Sequence, residues 1–131
     1  MNPIKLSIVG GAGRLGTSII EEMNDDFELL GILESSSYPY IGKTLRDAGL
    51  GNYDIPIYGP DSFSDIFQLS DVVLSATNPE AELTNAPIAV ETNTKLIIGT
   101  TGFTSSQHNQ LTSILNGKIP CVITSNFSIG M

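Results

Sequence analysis

The segment Gly10-Gly11-Ala12-Gly13-Arg14-Leu15-Gly16 has the residue types and spacing of a phosphate-holding turn. Backbone amides at the mouth of a helix hold a dinucleotide pyrophosphate, in a turn too tight for side chains. In that reading Gly10 makes the turn, Gly13 lets the backbone approach the pyrophosphate, and Gly16 lets helix and strand pack closely. Gly11, Ala12, Arg14 and Leu15 complete the cofactor loop, with Arg14 either a solvated first-turn cation or a phosphate contact. In a chain with 13 glycines the spacing alone is weak, and its plain alternative is a Gly-rich turn. Glu34 strengthens it, lying 18 residues past Gly16 at the end of a second strand-like run. An acid there accepts hydrogen bonds from the adenosine ribose hydroxyls. Its charge, followed by Ser35-Ser36-Ser37, repels a 2′-phosphate and leans the site toward NADH over NADPH. Arg14, Lys43 or Arg46 folding over that phosphate would neutralise it, which leaves NAD(P)H as the cofactor class.

These residues need elements to hold them, and the chain reads as strands and helices in alternation. Ile4–Val9 is a buried strand, followed by an apolar-striped helix from Arg14 to Met23 and a second strand at 28–33. Residues 35–54 form a polar connection with one short helical turn near 44–48. A short strand at 55–58 carries Pro56, which places it at a sheet edge. Asp61 is the expected N-cap of a helix at 61–68, and residues 71–75 form a compact strand. Asn78-Pro79-Glu80 opens the next helix, residues 95–98 are a strand, and Thr104-x-x-Gln107 is a capping box for a helix to about Leu115. A last strand lies at 120–124. Alternation of this kind implies a doubly wound parallel α/β sheet of Rossmann type, with right-handed crossovers and helices over both faces.

Composition narrows the functional classes. Against 14 Asp+Glu stand 6 Lys+Arg, a net charge of −8 that leaves no basic patch for a nucleic-acid backbone. No apolar run reaches the ~18 residues a membrane span requires. The N-terminus enters its first strand at once, without a signal-peptide pattern, and the single Cys121 cannot form an internal disulfide. A cytoplasmic domain over residues 1–131 is the expectation, without nucleic-acid or membrane partners. His108 lies in a polar helical stretch and reads as solvated, whereas Cys121 lies in an apolar strand and reads as core. The sequence shows no paired carboxylates, no Ser/His/Asp set and no metal-ligand cluster, so the catalytic residues are unknown and no metal is expected.

Four segments together resemble a known family. Val9 to Gly16, Ala76-Thr77-Asn78-Pro79-Glu80, Gly99-Thr100-Thr101-Gly102-Phe103 and Ser125-Asn126-Phe127-Ser128-Ile129-Gly130 occur in the order seen in dihydrodipicolinate reductase. Members reduce the dihydrodipicolinate precursor with NADH or NADPH in the diaminopimelate route to lysine. The resemblance implies that Ala76 and Thr77 lie along the cofactor. It implies that Gly99, Thr100 and Thr101 line the nicotinamide, with Gly102 beside the substrate, and that Ser125, Asn126 and Phe127 fix the carboxamide. Two positions depart from the pattern: Ala76 stands where an aromatic is common, and Ser35 where some members carry an arginine that favours NADPH. Family members continue into a second domain with the catalytic histidines and lysine, the substrate-carboxylate contacts and the oligomer interface. The resemblance therefore implies that residues 1–131 are the cofactor half, inactive alone. Two alternatives stand beside it, the cofactor domain of another amino-acid dehydrogenase and a non-catalytic dinucleotide-binding module.

Overall fold

The structure, a computed structural model, describes residues 2–123. Its elements in chain order are β1 (Ile4–Val9), α1 (Arg14–Glu22), β2 (Phe27–Leu33), β3 (Ile57–Tyr58), a 3-10 turn (Pro60–Ser62) and α2 (Phe63–Leu69), then β4 (Val72–Ser75), α3 (Pro79–Thr92), β5 (Lys95–Ile98), α4 (Ser105–Leu115) and β6 (Cys121–Ile123). The strands form one parallel sheet in the order β3-β2-β1-β4-β5-β6. Chain order reverses between β1 and β4, and in open α/β sheets ligands bind beyond the strand ends at that point.

The expected alternation is present, and Pro56 does border the edge strand. Lacking an N–H, Pro56 still accepts from Ile32 N at 3.0 Å through its carbonyl. Residues 35–54 keep to their expected irregular path, with one turn closed by Ala48 N donating to the Thr44 carbonyl, whereas the strand expected at 55–58 is shortened to Ile57–Tyr58. Leu45 on this connection is fully buried, and Tyr38, Ile41, Leu50 and Ile55 pack against the same core, so the polar stretch is pinned to the sheet by its apolar residues.

The expected start of α2 requires correction. Asp61 does not cap α2; it lies in the 3-10 turn Pro60–Ser62, and α2 starts at Phe63 with Ser62 as an N-cap that makes no side-chain bond. Pro60 fixes φ early enough that the chain winds into the tighter turn first. Helices lie on both faces as expected, with α1 alone on one and α2, α3 and α4 on the other. The core against α2, α3 and α4 contains Val9, Leu33, Phe67, Val73, Leu96, Ile98 and Leu111. The opposite face packs Ile8, Ile32, Leu45, Ile57 and Leu74 with Ile20 of α1. Right-handed crossovers explain the imbalance: connections running outward from β1 to β3 fall on one face, and those returning through β4 to β6 fall on the other. Beside α1, Leu6, Val72, Leu74 and Ile97 therefore line an open apolar groove. Val122, partnered with Ile97 in the ladder, is 57% exposed.

The two helix starts legible in the sequence form as expected. Asn78 accepts from Ala81 N at 2.9 Å with Pro79 at the first helical position, and Thr104 and Gln107 complete a reciprocal capping box. Asn78→Ala is expected to cost about 1 kcal/mol, read as a lower midpoint in urea denaturation with an unchanged slope.

Candidate functional site

β1 delivers the chain to the glycine loop, where the Gly10 N–H donates to the Leu33 carbonyl at 2.8 Å. Gly10 has φ +79°, and a Cβ there would lie 2.2 Å from the Ala76 carbonyl oxygen. Only a residue without a side chain joins β1 to α1 while the loop after β4 presses this close. At Gly16 a Cβ would meet the Gly11 Cα at 2.5 Å. The close approach assigned to Gly16 is thus onto the loop itself, and Gly11 carries the contact to β2 through Ile32. Gly13 is different, because a Cβ there would touch only the Gly10 carbonyl, at 3.4 Å. Its bare face is exposed, so the missing side chain leaves room for something outside the chain.

Gly13 is also the N-cap of α1, with no side-chain cap bond and no acid in the first turn. Helix α3, by contrast, carries Glu80 and Glu82 in its first turn. A helix N-terminus attracts anions through its unpaired amides and its dipole. Of these two helix mouths, α1 is the one suited to a pyrophosphate. Arg14 and Leu15 stand at that mouth, Arg14 exposed.

Glu34 lies where β2 ends, and its Oε2 accepts the Ala12 N–H at 2.9 Å. This bond ties the Glu34 carboxyl at the end of β2 to the glycine loop after β1. Burial pushes the Glu34 carboxyl above its ordinary 4.5, partly countered by the Ala12 hydrogen bond. Tyr38 is pushed up as well, first by burial, then by the Glu34 charge and by Tyr40. Glu34 accepts its proton more readily in the folded chain than in the unfolded one. It therefore adds stability in acid that is lost as pH rises through the raised value. Glu34→Gln, which keeps an acceptor for Ala12, should melt above the wild type at neutral pH. The gap should close as pH falls below 4.5, and thermal denaturation across that range reads it.

Of the cations weighed against a 2′-phosphate, Arg46 is committed elsewhere. It pairs with Asp54 at 2.6 Å and donates to Asn52 at 2.8 Å. Lys43 and Arg14 remain exposed.

The loops after β4 and β5 converge beside Gly10. The Thr77 N–H donates to Thr100 Oγ1 at 2.8 Å, and the Gly99 N–H donates to the Ser75 carbonyl at 2.7 Å. Ala76 and Thr77 are half-buried, Thr101 and Gly102 are exposed, and Thr100 is turned into the protein. The Thr100 hydroxyl donates to Glu82 Oε1 at 2.6 Å, so the side chain braces the loop from within and the backbone forms its surface. Gly102 has φ +88° with open space about it. Ser125, Asn126 and Phe127 lie outside the described residues. His108 is exposed, and Cys121 packs against the core as expected.

Glu82 is the residue that sequence reasoning missed. It is fully buried, and its Oε1 accepts from Ser75, Thr77 and Thr100. Spacing held a signal, because Glu82, Ala86 and Ala89 stand at i, i+4 and i+7 and form the buried stripe of α3.

An open parallel sheet of this order, with a glycine loop and an acid at its switch point, defines the architecture of a Rossmann-type dinucleotide-binding domain. Biliverdin reductase from Synechocystis sp. PCC 6803, solved with biliverdin and NADP+, shares this fold at 15% identity and a TM-score of 0.67. The family profile described as dihydrodipicolinate reductase, N-terminus, matches residues 4–127, and the chain belongs to that family. Among its relatives, 4-hydroxy-tetrahydrodipicolinate reductase from Methanococcus aeolicus is 32% identical over 135 residues, covering 98% of this chain and 50% of that protein. The enzyme of the same name from Burkholderia cenocepacia is 36% identical over 132 residues, covering 98% and 48%. Dipicolinate-bound dihydrodipicolinate reductase from Paenisporosarcina sp. TG-14 superposes with a TM-score of 0.71 at 27% identity, covering 98% of this chain and 49% of that one. The chain thus spans about half the length of the relatives it matches.

Proposed function

We propose that this chain is the cofactor half of a reductase that reduces the 4-hydroxy-tetrahydrodipicolinate of the diaminopimelate route to lysine, using NADH in preference to NADPH. The observation that carries the cofactor reading is the Glu34–Ala12 bond, which places an acid and a helix mouth side by side at the sheet's switch point. When bound, the dihydronicotinamide supplies a hydride. The chain's own residues orient it: α1 amides and the open face of Gly13 receive the pyrophosphate, and Glu34 Oε1 accepts from the adenosine ribose. The loop of Ala76 and Thr77 and the loop of Gly99 to Thr101 form the wall beyond, with Gly102 toward the substrate. Ser125, Asn126 and Phe127 hold the carboxamide in the same reading.

The proton donor, the substrate-carboxylate contacts and the homo-oligomer interface are assigned to the second domain of the full-length relatives, in a cytoplasmic enzyme. In the described residues no helix is long and apolar enough to cross a membrane. The test joins this chain to the second half of the Burkholderia cenocepacia relative. The chain alone should show negligible turnover, and the joined protein should oxidise NADH when given the substrate. A joined protein that binds NADH yet gives no turnover overturns the substrate assignment.

A further inference from the structure

Glu82 is the one acidic or basic side chain that is buried among the described residues. Its exposure is 0%, and among the described residues its Oε2 has no hydrogen-bond partner and the one ion pair is the distant Arg46–Asp54. An acid without a cation in a core loses solvation that packing does not return. Its neighbours on the same stripe of α3, Ala86 and Ala89, show what that stripe otherwise holds. Violations of core rules of this kind gather at functional sites, where geometry is retained at the expense of stability.

The geometry around the other oxygen shows what is retained. Oε1 accepts from Ser75 Oγ at 2.5 Å, Thr100 Oγ1 at 2.6 Å and Thr77 Oγ1 at 3.1 Å. Ser75 ends β4, Thr77 stands on the loop after β4, and Thr100 stands on the loop after β5. Thr100 Oγ1 in turn accepts the Thr77 N–H, so one carboxylate oxygen closes a ring of bonds across both loops. Glu82 belongs to the first turn of α3, so its carboxyl sits at the end of the helix where acids are favoured. None of these bonds reaches the glycine loop or Glu34.

We infer that Glu82 is a positioning residue for the nicotinamide half of the dinucleotide, setting the distance between the loops after β4 and β5 through Ser75, Thr77 and Thr100. The inference rests on the cofactor reading above and adds to it a residue that touches no ligand. Its test compares NADH with ADP-ribose, which carries the adenosine and pyrophosphate but no nicotinamide, by calorimetric titration of this chain.

The wild type should bind NADH more tightly than ADP-ribose. Glu82→Leu should weaken NADH about tenfold and lose the emission change of the bound dihydronicotinamide, with ADP-ribose altered less than about twofold. Glu82→Gln keeps an acceptor for the hydroxyls and should stay within about threefold of wild type. Thr100→Val, which breaks the ring at its other end, should repeat the Leu pattern and carries the test if Glu82→Leu does not fold. Parallel losses for both ligands, no loss for either, or Gln as damaging as Leu would each overturn the role of Glu82. A wild type that binds neither ligand overturns the underlying cofactor reading and this role with it.

Discussion

Gly10→Val should cost about 3 kcal/mol of stability and remove measurable dinucleotide binding. Two separate penalties meet at this position. Its φ of +79° is a conformation that a β-branched residue strongly resists. Its new Cβ would also fall 2.2 Å from the Ala76 carbonyl oxygen and 3.0 Å from the carbonyl carbon. Those are backbone atoms, and the Ala76 N–H is itself bonded to the Val9 carbonyl at 3.0 Å, so the neighbour has little room to yield. Relief requires separating the glycine loop from the loop that carries Thr77. Gly49→Val is the control, since Gly49 has φ +75° with nothing within 4 Å of its would-be Cβ. It should show the strain penalty alone and bind normally. Thermal denaturation with NADH titration reads both effects, and normal binding by a folded Gly10→Val would contradict the role assigned to the loop.

Glu34→Ala should weaken NADH by about ten- to a hundredfold, the range for charge-assisted hydrogen bonds. Two bonds disappear together, the proposed one to the ribose and the observed one that orders the Ala12 N–H. NADPH should lose much less, because removing the carboxylate also removes its repulsion of the 2′-phosphate. The ratio of the two affinities is thus the sharper readout. An equal loss for both cofactors would mean that Glu34 acts only through the loop. Glu34→Gln separates the contributions, because it keeps the Ala12 bond while losing the charge.

What the sequence made legible was chiefly local. Asn78 and Thr104 announce their helices because capping is a matter of three or four consecutive residues. The glycine loop is readable because its spacing answers to one turn, and Pro56 correctly places an edge. What depended on distant packing was less visible. Asp61 has the right chemistry for a cap, yet the neighbouring Pro60 moves the helix start past it. The open face beside α1 follows from crossover handedness summed over the sheet, which no single segment displays. Arg46 is a free cation in the sequence and is held by Asp54 and Asn52 only once residues 44–56 fold back. The family resemblance implies that Thr100 lines the cofactor, and its hydroxyl is occupied inside the protein by Glu82 and the Thr77 N–H. Glu82 explains that occupation, and its partners come from two other strand ends.

Paired titration of the chain with NADH and NADPH, followed by dihydronicotinamide emission, tests the central claim most directly. The chain contains no tryptophan, so the protein contributes little background. The structure predicts saturable NADH binding, with NADPH weaker by about tenfold or more. NADPH bound as tightly as NADH would contradict the ribose role of Glu34, and binding of neither would contradict the cofactor site itself.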